Sequence, residues 1–142
     1  MERCESKYCG CLFFSSNALA RVITRMAEEE FAITGLAPSY AFLIMTVLEK
    51  PGIQPNEISR EMQLTPSTIT RLIEKLEHKG YLERKISGKF TAVYPTDKAE
   101  PMVIKVKEAW MNLYKRYSAI LGEEEGKTLT KLIIDASKKL EE

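Results

Sequence analysis

Apolar positions recur along this chain with two different periods, and the switch between the periods outlines the fold. Leu19, Val22, Ile23 and Met26 follow the i, i+3, i+4, i+7 rule, which predicts a first helix from about Ser15 to Phe31. Arg21, Arg25 and Glu28 lie on its other side and read as a solvated face. Pro38 suits a first helical position, and "SYAFLIMTVLEK" is apolar nearly all round until Pro51 and Gly52 stop it, as expected of a helix buried on most sides. A third helix starts at Pro55 with Ile58 and Met62 on one face, and small Ser59 sits where another helix can cross closely. Gln63 and Leu64 interrupt the pattern. Thr65 is a good N-cap and Pro66 a good first residue for a fourth helix, whose stripe is Ile69, Leu72, Ile73 and Leu76, with Gly80 as its stop.

The period then changes to two. "YLERKI", about Tyr81 to Ile86, and "FTAVYP", about Phe90 to Pro95, read as short strands joined through Ser87, Gly88 and Lys89. Pro95 argues for an edge position of the second strand. Helical spacing returns at Met102, Val106, Trp110, Leu113, Tyr117 and Ile120, with Pro101 in the first turn or bending it. Gly122 separates a last helix with Glu123 to Glu125 at its start and Lys138 and Lys139 near its end, both matched to the helix dipole. The predicted class is mainly α with a small β-hairpin wing: a winged helix-turn-helix in which a three-residue turn joins two short helices and a hairpin follows directly.

Composition narrows the picture only locally. At 142 residues, 44% hydrophobic and 29% charged, the chain fits one soluble domain, and a net charge of +1 gives no global pull toward a polyanion. Between Arg71 and Phe90, however, six Lys or Arg face three acids, a local excess larger than that of the whole chain. The apolar run Cys11 to Phe14 is too short for a secretory signal and no window approaches a membrane span, so the expected location is the cytoplasm, with reduced thiols and no membrane partner.

The fourth helix carries the candidate chemistry. Opposite its buried stripe stand Ser67, Arg71, Glu74 and His78, flanked by Thr68, Thr70 and Lys75. Hydroxyls can bond base edges or phosphates, Arg71 can pair bidentately with guanine, and the free N–H groups of the helix N-terminus favour phosphate. The expected partner is double-stranded DNA, with Ser67, Thr68, Thr70 and Arg71 entering a major groove and Lys75 beside them. Lys89 at the hairpin tip is placed to reach an adjacent groove or backbone, and Arg84 and Lys85 to hold phosphates. Taken alone the helix is equally an ordinary amphipathic one; the preceding helix, short turn, cap and basic hairpin together favour DNA. His78, the single histidine, reads as a surface residue at a helix end.

"TPSTITRLIEKLEHKGYLERK" resembles the recognition helix and wing of MarR-type winged helix-turn-helix regulators, and with the later "YPTDKA" the order of elements resembles that family over nearly the whole chain. The resemblance implies a bacterial or archaeal homodimeric transcriptional regulator, read as a repressor, on a palindromic operator. It divides the chain into an arm and first dimerisation helix (1–34), a winged DNA-binding domain (35–96) and C-terminal dimerisation helices (97–142), and it carries DNA contacts onto Ser67, Thr68, Thr70 and Arg71. The wing departs from the family: its tip is "SGK" where an Asp-x-Arg tip is usual, and lysine lacks the planar fork of arginine.

The resemblance also implies a signal, either an oxidant or a small aromatic ligand. Cys4, Cys9 and Cys11 are candidates for redox sensing, although alignment with the peroxide-sensing branch puts Phe13 at the sensing position; ordinary thiols and a metal site remain alternatives. Phe14, Tyr40 and Trp110 are candidate pocket residues, and at helical spacing they equally suit a core. No metal or cofactor is expected, and no paired-carboxylate, Ser-His or phosphate-loop pattern suggests an enzyme. A winged-helix protein-interaction module and a cysteine-based redox or metal sensor stay open as other classes.

Overall fold

A computed structural model describes residues 5–142. It contains α1 (Leu12–Phe31), a single 3-10 turn (Ala32–Thr34), α2 (Pro38–Glu49), α3 (Pro55–Met62), α4 (Pro66–His78), β1 (Leu82–Ser87), β2 (Phe90–Pro95), α5 (Met102–Leu121) and α6 (Glu123–Leu140). The chain is mainly helical with a two-stranded antiparallel hairpin as its wing. Among the described residues no single helix is long and apolar enough to cross a membrane.

The core lies where the helix-turn-helix meets the wing and the first half of α5. Leu43, Ile44 and Val47 of α2, Ile58 of α3, Ile69, Ile73 and Leu76 of α4, Leu82 and Val93 of the wing and Val106 of α5 are all fully buried in it. Thr65 caps α4, its Oγ1 accepting from the Thr68 N–H at 3.4 Å. At the other end Gly80 takes φ +86°, the Gly80 N–H reaches the Glu77 carbonyl and the Tyr81 N–H the Leu76 carbonyl, a glycine-dependent stop that turns the chain into the wing. Both ends of α4 are therefore fixed locally.

Several boundaries and roles differ from the sequence reading. α1 begins at Leu12, a turn before Ser15, with Leu12 and Phe13 exposed. β1 runs Leu82–Ser87, and because Ser87 pairs with Phe90 the turn is the two residues Gly88 and Lys89. β2 is not a free edge: Val93 donates to the Ile53 carbonyl at 3.0 Å and accepts from the Gly52 N–H at 2.8 Å. Pro95 lies beyond that bridge, so its missing N–H leaves the pairing intact. Pro101 is the N-cap of α5, just before the first turn that it was expected either to occupy or to bend. The break after α3 is made by Gln63 in the left-handed region (φ 54°), and Ser59, expected only to be small, donates its hydroxyl to the Leu64 carbonyl across the break.

The two ends of the chain are arranged differently. Arg116 of α5 pairs with Glu29 (2.7 Å) and Glu30 (3.0 Å) of α1, tying these helices together and raising the arginine's already high pKa through the two carboxylates, Glu29 foremost. α6 fully buries only Gly126.

Candidate nucleic-acid interface

α4 is held from beneath by its isoleucines and leucines, which leaves its opposite face to solvent. Ser67, Thr70, Arg71 and Lys75 are exposed, and Thr68 is half-buried because its hydroxyl lies 2.9 Å from the Thr65 cap. Thr70 donates its hydroxyl to the Pro66 carbonyl at 3.0 Å, so what it offers outward is acceptor capacity. Arg71 forms no ion pair with any described residue. It stands at the start of a ridge, Arg71, Lys75 and Lys79, spaced i, i+4, i+8 along the helix. Like charges at this spacing repel, by about 0.2–0.5 kcal/mol per pair in an isolated helix, a cost set against the ring contacts that Lys75 and Lys79 make with Tyr40. A polyanion laid along it removes that repulsion. Lys79 was not among the sequence candidates, although the four-residue spacing was visible.

The wing cations behave differently from one another. Arg84 is folded back onto α4: its Nη2 (2.9 Å) and Nε (3.2 Å) donate to Glu77 Oε1, its backbone N–H donates to Glu77 Oε2 (3.0 Å), and Glu74 lies 3.8 Å away. This pairing holds the Glu77 carboxyl below its ordinary value of 4.5, through the Arg84 side chain first and its backbone N–H second. Arg84, expected to hold a phosphate, is engaged here between recognition helix and wing, and a guanidinium paired on two edges has less charge to offer a phosphate. Lys85 lies 3.9 Å from Glu83 and 4.7 Å from the centre of the Tyr94 ring, so it too is partly satisfied within the wing. Lys89, at the tip, is exposed and forms no ion pair among the described residues, and Ile86 and Phe90 beside it are exposed as well.

Phe14, Tyr40 and Trp110, the expected pocket residues, have different neighbours. Phe14, in the first turn of α1, stacks on Tyr8 at 5.7 Å. Tyr40 lies under the ammonium groups of Lys75 (5.9 Å) and Lys79 (5.7 Å), so it supports the cationic ridge. Trp110 lines a cavity of about 370 Å³ between α2, α3 and α5. A larger one, about 580 Å³ and mostly apolar, lies between α1, α5 and α6 and touches none of the three. The three residues therefore have separate surroundings.

Of the cysteines, Cys4 lies outside the described residues, Cys9 is held in a disulfide and Cys11 has a free, exposed thiol at the N-cap of α1. The expectation of reduced thiols throughout does not hold at Cys9. Among the described residues no group of three or more His, Cys, Asp or Glu is placed to hold a metal ion.

The MarR family model matches residues 34–89, from the turn after α1 through the tip of the wing. Over those residues the chain is similar to the MarR family. Over nearly its whole length its fold is like that of solved MarR-type winged-helix proteins. It is similar to the HTH-type transcriptional repressor MdtR of Bacillus subtilis (strain 168), 25% identical over 114 residues that make up 78% of this chain and 74% of MdtR. Its fold is like that of MepR of S. aureus, solved as a DNA complex: TM-score 0.78 and 15% identity, covering 96% of this chain and 99% of that one. CouR of Rhodococcus jostii RHA1, solved with p-coumaroyl-CoA, gives TM-score 0.73 and 17% identity over 95% of each chain. The matched segment contains all the DNA-contact candidates, from Ser67 to Lys89, and leaves out most of the helices at the two chain ends.

Proposed function

We propose that this chain is a MarR-type transcriptional regulator, a homodimeric repressor that reads a palindromic DNA operator and is released by a small ligand or an oxidant. The observation that carries the reading is the exposed face of α4: Ser67, Thr70 and an unpaired Arg71 beside the helix N-terminus, continued by Lys75 and Lys79. Arg71 and the hydroxyls read base edges from the major groove, the N-terminal N–H groups and the lysines hold phosphates, and Lys89 extends the footprint along the backbone. The crystallised DNA complex of MepR, which shares the fold, supports DNA as the partner.

Dimerisation follows from what the chain leaves uncovered. Leu132, Ile133, Ile134 and Leu140 of α6 are exposed, as are Leu12 and Phe13 of α1 and Ile104 and Ile120 of α5. A second copy packed on these faces removes them from water, at about 25 cal/mol per Å² of apolar surface, and sets two α4 helices on one side for a two-fold site. The division into residues 1–34 and 97–142 for dimerisation and 35–96 for DNA rests on the same faces. The regulator then works in the cytoplasm, on DNA. For the signal, the CouR complex with p-coumaroyl-CoA supports a ligand, and the exposed Cys11 thiol supports an oxidant.

The test is selection of binding sites from a random duplex library, with and without mild peroxide pretreatment, alongside sedimentation of the free protein. Enrichment of a two-fold palindrome by a dimer supports the reading, and loss of binding after peroxide, reversed by reductant, makes the cysteines the sensor. A monomer that enriches no sequence, with weak binding at moderate salt, returns the chain to the interaction-module class.

A further inference from the structure

We infer that the tip of the wing is an apolar wedge, in which Phe90 and Ile86 prise open a base step from the minor groove and bend the operator. This inference rests on the proposed reading of duplex DNA and names what the wing adds to it. β1 and β2 are joined by the two-residue turn of Gly88, at φ +61°, and Lys89, so Ile86 to Phe90 form a narrow tip. Ile86 is 74% exposed and Phe90 65%. Neither belongs to the hydrophobic core or packs against it, and Phe90 makes no ring contact among the described residues.

The register sets the two side chains on opposite faces of the ribbon. Ile86 pairs with Thr91 on the face that holds buried Leu82 and Val93, and Phe90 pairs with Ser87 on the other. A ribbon bearing side chains on both faces is about 10 Å thick, the spacing of stacked sheets, whereas the minor groove of B-form DNA is about 6 Å wide. The tip therefore enters only by widening the groove, which is the action of an apolar wedge.

Three features select DNA as what covers these side chains. Lys89 stands between them at the turn, exposed and without an ion pair among the described residues, so the apolar pair arrives with a cation for the phosphates that line the groove. The tip is continuous with the reading head, because the contacts of Arg84 with Glu77 fasten the wing to α4 and its ridge of Arg71, Lys75 and Lys79. Arg84 is also the single arginine of the wing, and its engagement leaves the tip without the planar fork that reads a groove by hydrogen bonds. Deformation supplies selectivity in its place. Pyrimidine–purine steps such as TA and CA/TG unstack most readily, so the wedge favours operators that carry one where the tip lands.

The test uses the full-length protein on the duplex it selects from a random library. 2-Aminopurine is placed in turn at each flanking position, and circularly permuted fragments report the bend. Phe90→Ala, Ile86→Ala and the double variant are compared with Lys89→Ala, all at exposed positions, with urea unfolding as the check on the fold. The wild type is expected to brighten 2-aminopurine at one step in each flank, to bend the fragment and to enrich pyrimidine–purine steps there. The double variant is expected to lose all three and to bind about ten-fold more weakly, with an unchanged salt slope because apolar contacts release no counterions. Lys89→Ala is expected to do the reverse, lowering the salt slope and keeping the brightening. An operator bound with its flanks fully stacked, or a double variant that binds and bends like the wild type, overturns the wedge and leaves the DNA reading standing. Failure of the wild type to bind any duplex overturns both. Wild-type binding to anionic lipid vesicles that the double variant loses, with its operator complex unchanged, overturns the wedge and assigns the tip to a lipid surface.

Discussion

Replacing Arg84 by Met, Glu77 by Gln, and both together tests whether the wing is clamped to the recognition helix. The Arg84 guanidinium donates two bonds to Glu77 Oε1, at 2.9 and 3.2 Å, and the third contact, from the Arg84 backbone N–H, survives in the Met variant. Hydrogen bonds to charged groups contribute about 1.5–3 kcal/mol when shielded, but exposed pairs only about 0.2–1 kcal/mol. With side chains 29% and 34% exposed, this pair stands between those limits, and we take a coupling of about 1 kcal/mol in a double-mutant cycle. For a chain of this size that corresponds to a melting temperature lower by about 3 °C in the arginine variant.

The assay is urea unfolding of the four proteins at pH 7 and again in acid. Glu77 has a depressed folded pKa, so its stabilisation is complete above the ordinary carboxylate value of 4.5 and is lost as pH falls through the lower folded value. Coupling is therefore flat from pH 7 to about 5 and shrinks below 4.5. The DNA side gives an independent reading. A phosphate-binding arginine would lower the salt slope by about one unit when removed, whereas a clamped one lowers it by much less. Additive single effects at pH 7, within about 0.3 kcal/mol, together with a full unit lost from the salt slope, would refute the clamp and restore the phosphate role.

Arg71→Ala is expected to cost about 1–3 kcal/mol on the selected operator and little on random duplex, while Lys89→Ala weakens both alike and lowers the salt slope by about one, as measured by fluorescence anisotropy. Ile73→Ala, at a position 1% exposed beneath the reading face, should destabilise by about 2–5 kcal/mol in chemical unfolding. Gln63→Gly should stabilise the fold by up to about 1 kcal/mol, because Gln63 holds φ 54° in the left-handed region; a destabilised variant would mean that the side chain makes a compensating contact.

What the sequence determined by itself was local chemistry with a short reach. The start of α4 at Thr65 and Pro66, its end at Gly80, its stripe Ile69, Leu72, Ile73 and Leu76, and the order of helices and hairpin all follow from cap residues, glycine freedom and periodicity, which act within a few residues. The exposed face carrying Ser67, Thr70 and Arg71 follows too, because burying one side of a helix exposes the other. Tertiary structure alone decided which cations are free. Arg84 and Lys85 look alike in a composition count, and only the return of the wing onto α4 brings Glu77 to Arg84 and the antiparallel register brings Tyr94 to Lys85. It also decided that β2 is flanked by Ile53, forty residues before Val93, and that Phe14, Tyr40 and Trp110 occupy separate places. The cavity holding Trp110, Glu49 and Glu61 is a product of α2, α3 and α5 meeting in space, and no local pattern in any one of those helices encodes it.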